Sequence, residues 1–458
     1  MLVIGLALLV SFPLQSAQAA PTKQLNPLLP MLQSLFQEAG PALPDLMGMN
    51  GPRTYLVLVQ NNHELRPTGG FISAVGKVTL TSGELSSVDF VDSYSFFREN
   101  LQYPPAPQPM QQYMGIQLLV LRDANWSPDL PTTARLIQGF YAQQTGESIS
   151  GVVTVDLQAA ELIVDALGPL ELSGSDQPLT GSNFVEQILQ MWENPVGTDL
   201  RTTSSGFNAW WGQRKNFMSL LVEAARQKMG SGQLNYAKLF LNVQAALSRR
   251  AIQVWVDEPN LARRFAELGW DGGIHLKAGS DFLALVDTNM GYNKVDAVLQ
   301  RTLSYSVAWP DGPSAPAVAT AVITYTHPIK LANYSCTNTP GYGESYNFLV
   351  ERCYYDYVRL YVPSGSHLLG IEGVDENSVV TQRSENHTQY FGGYFVLPVG
   401  QQQTVTFHYR LPPQLTPQNY QLTLQRQAGS NALPITVSVD GKRVATTLND
   451  AQFHWPAP

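Results

Sequence analysis

The sequence predicts an α/β domain, with a mixed sheet flanked by helices, followed by an all-β, sandwich-like domain. Up to about residue 300, short runs of β-branched and aromatic residues alternate with segments of helical periodicity, a pattern typical of α/β and α+β folds. After Leu303, segments with strand character follow one another across Gly, Pro, Asn and Ser turns, with no convincing helix between them. The 458 residues are enough for two or three domains, each with its own core.

The elements of the first part can be placed in order. Apolar runs predict strands at residues 55–59, 71–80, 84–91, 151–155 and 251–256. Helical patterns lie at residues 132–144, 158–167, 184–192, 210–229, 236–248 and 261–268. Asp129 and Pro131 stand ahead of the first helix, and Gly168-Pro169 end the second, as expected of helix start and stop signals.

The second part consists of predicted strands. They lie at residues 302–309, 317–325, 354–362, 378–382, 390–396, 404–409, 421–427 and 434–439. An Asp440-Gly441 pair after the last of them predicts a hairpin turn. We therefore expect an α/β domain at residues 51–300 and a β domain at residues 301–458.

The N-terminus has the composition of an export signal. Residues 2–14 are largely apolar, and Ala17-Gln18-Ala19 fits a signal-peptidase site, although no Lys or Arg precedes the apolar run. The run is shorter than the roughly 20 residues that span a bilayer. Residues 1–20 are thus predicted to be a signal peptide or a truncated membrane anchor, and residues 21–50 a linker with a short helix. We expect the protein to be secreted, or held by its N-terminus at the extracytoplasmic face of a membrane.

Charge and cysteine content narrow the class of protein further. Only 14% of the residues are charged and the net charge is −8, which argues against a nucleic-acid partner because such binding needs clustered Lys and Arg. The two cysteines, Cys336 and Cys353, lie close together in the β-rich part. In an exported chain they are expected to form a disulfide, and the alternative is a pair of free buried thiols.

Candidate functional residues gather after the first predicted strand. His63, Glu64 and Arg66 follow it, and Gly69-Gly70 allow a tight turn or a close approach of the backbone to a ligand. An acid, a base and a glycine pair at a strand end are typical of a site-bearing loop, with Glu64 orienting Arg66. A polar turn with one ion pair is the alternative.

Four further loops of the first part carry arginines and carboxylates. They hold Asp89, Asp92 and Arg98; Arg122, Asp123 and Asp129 beside Trp126; Asp199 and Arg201; and Arg214 and Lys215 after two tryptophans. Arginine suits bidentate contacts with phosphate oxygens and carboxylates suit Mg²⁺, a combination used in phosphoryl transfer. Each loop taken alone is better explained as a solvated loop with local salt bridges. No phosphate-loop, GxSxG, HExxH or CxxC motif occurs.

Three segments carry a resemblance to a known family. ELRPTGGF at residues 64–71, LRDANWSPDLP at 121–131 and DTNMGYNKVD at 287–296 resemble the signature segments of an uncharacterised bacterial exported family built on a QNNxELRPTGGF motif. The order of elements is also distantly similar to the LytR–CpsA–Psr phosphotransferases, which attach lipid-carried glycopolymers to the cell wall. Their Arg-x-Asp-Thr and Pro-Arg-Asp segments correspond to residues 65–68 and 90–92, where Pro67 and Val91 depart from the pattern.

The second resemblance implies roles for particular residues. It implies catalytic residues at Arg66, Asp92 and Arg214, and pyrophosphate ligands at Arg66, Arg201 and Arg214. Mg²⁺ would be bound by Asp92 together with Asp123 or Asp129. The implied partner is a polyprenyl-pyrophosphate-linked glycan or a cell-wall polymer, and the implied location is the cell envelope.

Two other functions remain open. The losses at Pro67 and Val91 favour a non-enzymatic surface protein that binds a polymer or partner on a degenerate form of the same fold. Carboxylates in loops near Trp126 leave a sugar hydrolase as a remote third hypothesis, because the separation of paired acids cannot be read from a sequence.

Overall fold

The fold consists of an α/β part and a β sandwich, as the sequence predicts. The computed structural model describes residues 43–173, 175–195, 204–232 and 234–456. Within these residues a five-stranded mixed sheet is followed by two six-stranded sheets. The predicted fold class is thereby confirmed. The predicted signal or anchor at residues 1–20, and the linker up to residue 42, lie outside the described residues.

The sheet of the α/β part has the order β3-β2-β1-β4-β5, with β1 and β4 parallel and the other neighbours antiparallel. Its strands are β1 (Arg53–Asn61), β2 (Phe71–Thr81), β3 (Glu84–Asp92), β4 (Gly151–Val155) and β5 (Ile252–Val256). Successive residues of a strand face opposite sides. Tyr55 and Val57 therefore pack into one core while Leu56 and Leu58 pack into another, which accounts for the unbroken apolar run of β1.

Helices cover both faces of this sheet. They are α1 (Leu43–Leu46), α2 (Gln108–Met114), α3 (Leu130–Thr145), α4 (Leu157–Leu167), α5 (Phe184–Glu193), α6 (Ser204–Gln213), α7 (Phe217–Gly230), α8 (Tyr236–Ser248) and α9 (Pro259–Glu267). Residues of α4, α5, α7 and α8 form one core, and residues of α2 and α3 contribute to the other. Asp129 caps α3 by accepting from the Thr132 amide at 3.0 Å, in agreement with the predicted start signal.

The prediction of a single helix at residues 210–229 is wrong, because two helices, α6 and α7, occupy this region. Between them, Arg214 and Lys215 both donate to the carboxylate of Asp92, at 2.5 Å and 2.7 Å. Adjacent residues of a continuous helix do not face the same way. The interruption allows both side chains to reach one carboxylate.

The β part is a sandwich of two sheets with the strand orders β10-β13-β8-β7-β15-β16 and β11-β12-β9-β6-β14-β17. Its first strands are β6 (Asp281–Val286), β7 (Gln300–Ala308), β8 (Val318–Thr326), β9 (Tyr354–Pro363), β10 (His367–Glu372) and β11 (Val380–Arg383). The remaining strands are β12 (Thr388–Leu397), β13 (Gln402–Arg410), β14 (Leu422–Gln425), β15 (Leu433–Val439), β16 (Lys442–Leu448) and β17 (Gln452–Trp455). Inward-facing residues such as Leu303, Tyr305 and Val307 of β7 fill the core between the sheets.

Strand β6 precedes residue 300 and yet pairs with β9 and β14 inside the sandwich. A strand from before the predicted domain boundary at residues 300 and 301 thus belongs to the sandwich. The boundary itself stays a prediction. The predicted Asp440-Gly441 turn joins β15 to β16, whose residues Val439 and Lys442 are paired.

A disulfide joins Cys336 to Cys353, with the Cα atoms 5.6 Å apart. Residues 337–352 between the two cysteines, here called the disulfide loop, contain a short helix, α10 (Tyr346–Val350). This helix departs from the helix-free pattern expected after Leu303, and Ser345 caps it by accepting from the Phe348 amide. Among the described residues, no helix has the length and apolar character needed to cross a membrane.

Candidate functional site

A cavity of about 360 Å³ opens beside the end of β1 and extends between the sheet and helices α4, α5 and α7. Most of its wall is apolar. The apolar lining comes from Val57 and Val155 of the sheet and from helix residues Leu157, Ala160, Ile163, Val164, Phe184, Val185, Ile188, Leu189, Phe217, Met218, Leu221 and Val222. Because the helices supply their core-facing stripes, this part of the cavity can accept a hydrocarbon chain.

The rest of the wall is strongly cationic. Five basic side chains line it, namely Arg66, Arg122, Arg214, Lys215 and Lys294. Glu64, Asp123 and Asp156 also line the cavity, and Asp92 pairs with two of the basic residues. Five cations against these four carboxyl groups leave an excess of positive charge beside an apolar channel, which suits an anionic group attached to a hydrocarbon.

Arg66 is the most deeply buried of these cations, with 3% of its surface exposed. Its Nη2 donates to Glu64 Oε1 at 3.0 Å, and its Nη1 donates to the backbone oxygens of Asn289 and Leu65. Arg66 Nε is buried and has no hydrogen-bond partner. An unsatisfied buried donor on a charged group costs free energy, so an acceptor that reached this N–H would be stabilising.

Glu64 orients Arg66, as the sequence suggests. Its second oxygen accepts from Lys294, so one carboxylate lies between two cations. Burial alone would raise the pKa of Glu64, but Lys294 and Arg66 outweigh it and hold the pKa below its usual value. Glu64 is therefore ionised at neutral pH and fixes both basic groups in the cavity wall.

The loop that presents Arg66 is shaped by its signature motif. Gly70 has φ +158°, and a Cβ there would lie 2.3 Å from the backbone oxygen of Asn61, so a side chain would force the loop to shift. Thr68 Oγ1 accepts from Gln60 and Asn125, and the backbone oxygen of Thr68 accepts from Gln253 at 2.7 Å. Much of the motif thus serves to fix the backbone around Arg66.

Asp92 holds the next two cations. Its Oδ2 accepts from Arg214 and its Oδ1 from Lys215, so both oxygens are engaged by basic side chains. The Arg214 guanidinium also lies over Trp211, 3.5 Å from the ring centroid. Burial lowers the pKa of Lys215 to about 8 despite the nearby Asp92, so the ammonium is mostly protonated at pH 7.

Arg122 and Asp123 complete the cationic part. The Arg122 guanidinium lies over the Tyr94 ring at 4.6 Å. Asp123 is 3% exposed, and its Oδ2, 3.4 Å from Arg122 Nε, accepts no hydrogen bond. Burial raises the pKa of Asp123, and the two nearby arginines only partly oppose the shift.

The disulfide loop closes one side of the cavity. Tyr342 and Tyr346 line it, and Tyr346 OH lies 2.5 Å from His63 Nδ1. Burial lowers the pKa of His63 to about 4, so the imidazole is neutral at pH 7. The β part therefore contributes directly to a cavity that lies mainly in the α/β part.

The predicted site residues are brought together in part. Arg66 and Arg214 line one cavity beside an apolar channel, and Asp92 pairs with Arg214. Arg201 lies outside the described residues. Asp129 does not line this cavity, because its carboxylate caps α3 and accepts from the Ile274 amide.

The carboxylates present do not fit the predicted Mg²⁺ site. Asp92 is engaged by two cations and Asp129 lies elsewhere, which leaves Asp123 beside Arg122. Across the described part of the chain, no group of three or more His, Cys, Asp or Glu side chains could hold a metal ion. Magnesium prefers several oxygen ligands, and here Arg214 and Lys215 engage both oxygens of Asp92.

Sequence reasoning missed Lys294 and the disulfide loop as parts of the site. Lys294 lies within the DTNMGYNKVD segment, where a lone lysine gave no reason to single it out. Its contact with Glu64 spans 230 positions of sequence. Only the tertiary fold brings the two together.

Comparison with known proteins agrees with the family resemblance. The model of a family described as "Protein of unknown function (DUF4012)" matches residues 50–191. The predicted resemblance to an uncharacterised family is thus confirmed over that segment, which is less than half of the chain. No curated protein matches the chain.

Three solved structures illustrate the structural similarities. A LytR-Csp2A-Psr enzyme from Actinomyces oris is 14% identical, with 48% of this chain and 76% of that chain covered and a TM-score of 0.28. B. subtilis TagV is 14% identical, with 48% and 80% covered and a TM-score of 0.26. The Lin1025 protein from Listeria innocua is 10% identical, with 48% and 78% covered and a TM-score of 0.27. At these identities and TM-scores the similarities carry no weight for function.

Proposed function

We propose that this protein binds an isoprenoid-linked pyrophosphate, of the kind that carries glycans at the bacterial cell envelope. The observation that carries the proposal is a cationic wall that continues into an apolar channel and includes Arg66, whose buried Nε–H has no hydrogen-bond partner. A polyprenyl-pyrophosphate-linked glycan has an apolar chain joined directly to an anionic group. Its two chemical parts match the two parts of the cavity.

The charges favour a pyrophosphate diester as the ligand. Such a group carries two negative charges, and the cavity has five basic side chains against four carboxyl groups, those of Glu64, Asp92, Asp123 and Asp156. Bidentate guanidinium contacts suit phosphate oxygens. The cavity volume of about 360 Å³ holds the pyrophosphate and the adjoining isoprene units, while the rest of a long chain stays outside.

Binding of a short-chain analogue tests this proposal. We expect the purified full chain to bind P1-methyl P2-farnesyl pyrophosphate in a calorimetric titration. Dimethyl pyrophosphate, which lacks the chain, is expected to bind at least about a hundredfold more weakly, because burial of several methylene groups contributes about 0.8 kcal/mol each. Equal affinities for the two compounds, or no binding of either, would contradict the proposal.

Transfer of the phosphoryl-linked glycan is a second candidate function, and Asp123 is the observation that favours it. Its buried Oδ2 is free of hydrogen bonds, lines the cavity and carries a raised pKa. A carboxylate in this state can accept a proton. The acceptor hydroxyl would attack the glycan-bearing phosphorus, its proton would pass to Asp123, the bond to the bridging oxygen would break, and polyprenyl phosphate would leave.

Asp123→Asn separates transfer from binding. The substitution keeps the side-chain shape and removes the proton acceptor, so we expect release of isoprenoid phosphate to fall at least a hundredfold while ligand affinity changes little. Chromatographic detection of isoprenoid phosphate, with a wall-glycan acceptor, measures this. A wild-type chain that binds the ligand but releases no isoprenoid phosphate would leave binding as the function.

A further inference from the structure

We propose that Tyr342 of the disulfide loop binds the first sugar ring of the glycan. This inference rests on the proposed function, because it concerns the group attached to the pyrophosphate. Tyr342 lines the cavity and yet has 52% of its surface exposed. A large aromatic ring that is half exposed at a cavity wall is available to a ligand.

Tyr342 lies close to the cationic side chains of the cavity. Its ring meets the ring of Trp211 edge-on, with centroids 5.5 Å apart, and Trp211 carries the Arg214 guanidinium on its face. Its hydroxyl lies 3.4 Å from that of Tyr94, whose ring carries Arg122. One aromatic side chain therefore separates Tyr342 from each of two arginines that would contact the pyrophosphate. The first sugar is attached directly to the pyrophosphate, so it would lie beside Tyr342.

The chemistry around Tyr342 suits a sugar better than a hydrocarbon. The hydroxyls of Tyr94 and Tyr342 and the nearby guanidinium groups offer hydrogen bonds to sugar hydroxyls. The electron-rich ring face attracts the polarised C–H groups of a sugar. The hydrocarbon chain has its own apolar channel between α4, α5 and α7.

Several contacts restrain the disulfide loop around Tyr342. The Cys336–Cys353 bond closes the loop, and Arg352 Nη2 donates across it to the backbone oxygen of Thr337 at 2.8 Å. Gly343, next to Tyr342, has φ +84°, and a Cβ there would lie 2.8 Å from the Phe207 ring. At the far end, the Tyr346 amide donates to Glu193 at 2.6 Å. The loop is thus attached to α5 and packed against α6, the helices beside the cavity.

The test compares two ligands of equal charge on the full chain. One is P1-methyl P2-farnesyl pyrophosphate, and the other carries N-acetylglucosamine in place of the methyl group. The wild-type chain is expected to bind the sugar ligand about fivefold to tenfold more tightly, in line with one aromatic contact. In Tyr342→Ala this ratio should fall to about one, and in Tyr342→Phe, which keeps the ring, most of it should remain.

Phe348→Ala is the matched control, because Phe348 is another exposed aromatic residue of the disulfide loop and does not line the cavity. It should keep the wild-type ratio. A wild-type ratio of one with normal binding of the methyl ligand would overturn the sugar subsite and leave the proposed function intact. A ratio that persists in Tyr342→Ala would also overturn it. Failure of both ligands to bind would overturn the proposed function itself.

Discussion

Two clusters of charged side chains contact the loop that carries Arg66, and they differ in how their charges are paired. The first is the cationic part of the cavity. The second, here called the sandwich cluster, consists of Asp287, Asp296, Asp356 and Arg301 and lies at the end of the β sandwich. The sandwich cluster is deeply buried, whereas in the cationic part Arg66 and Arg214 are buried and the other three basic residues are half-buried. Buried charge occurs in both, so burial alone does not distinguish a site from a scaffold.

The sandwich cluster is internally paired. Arg301 contacts Asp287 at 2.6 Å and also Asp296, and Tyr325 and Tyr354 donate hydroxyls to the carboxylates of Asp287 and Asp356. Burial and the nearby Asp287 raise the pKa of Asp356 well above its usual value. Asp287, Asp296 and Arg301 have charged partners within the cluster, while Asp356 Oδ2 has no hydrogen bond.

The two clusters are nevertheless connected. Asp296 accepts from the Leu65 amide at 3.0 Å, and the Asn289 amide donates to the Leu65 oxygen at 3.1 Å. The sandwich cluster thus holds the backbone on which Arg66 is mounted. The charges of the sandwich cluster thus pair mainly with one another, whereas the cationic part of the cavity has an excess of positive charge and the unpaired Nε–H of Arg66.

The largest expected effect is on stability, from Arg301→Ala. The substitution leaves Asp287 and Asp296 buried without their cation, which typically costs about 3–5 kcal/mol. Denaturant unfolding followed by tryptophan fluorescence measures it. Arg66→Ala is the control and should cost less, since Glu64 keeps Lys294 as a partner. If Arg66→Ala is the more destabilising change, the sandwich cluster does not contribute more to stability than the cationic part of the cavity, contrary to our expectation.

The second effect is on ligand affinity, from Arg66→Ala. Loss of a buried charge-assisted contact weakens binding by about 2–4 kcal/mol, or roughly 30-fold to 1000-fold. Titration with P1-methyl P2-farnesyl pyrophosphate measures this. Arg263→Ala removes a surface arginine, which bonds Asn260 on the exposed face of α9, and should bind as the wild type does. A loss below threefold in Arg66→Ala would remove Arg66 from the site.

The third effect is a pH dependence of affinity. The pKa of Lys215 is lowered to about 8, so its charge is present below pH 8 and is lost as the pH rises through that value. If the ligand needs this charge, affinity falls about tenfold between pH 7 and pH 9. Lys215→Arg keeps the charge above pH 9 and should flatten the profile. An unchanged slope in that variant would assign the pH dependence to another group.

The smallest expected effect is that of metal removal. Since cationic side chains occupy the carboxylate of Asp92, affinity for the pyrophosphate ligand should change less than about twofold between buffers with EDTA and with Mg²⁺. Calorimetry in the two buffers decides this. Binding that is seen only with Mg²⁺ would show that the carboxylates rearrange to take a metal.

The sequence is informative where local patterns decide the outcome. The strands of the first sheet, the capped helix after Asp129 and the Asp440-Gly441 turn follow from periodicity and from start, stop and turn residues. Strand β6 was not predicted, because a short, wholly buried apolar run such as residues 281–286 has no alternation to identify it.

The site could be predicted only in part, because its contacts span long stretches of sequence. Arg66 and Arg214 were found as basic residues near glycines and tryptophans. The prediction of Asp92 as a metal ligand rests on the resemblance of residues 90–92 to a Pro-Arg-Asp segment, and the lysine that engages it lies 123 positions away. The same holds for Tyr342, which reaches the cavity on a loop of the other part of the chain.

A crystal structure with a bound isoprenoid pyrophosphate diester would show whether Arg66 contacts the pyrophosphate. We predict a pyrophosphate oxygen at about 2.7–2.9 Å from Arg66 Nε, the N–H that has no partner in the protein alone. The isoprenoid chain should lie between α4, α5 and α7. A pyrophosphate bound away from Arg66, or a chain that leaves this channel empty, would contradict the proposed binding of the ligand in this cavity.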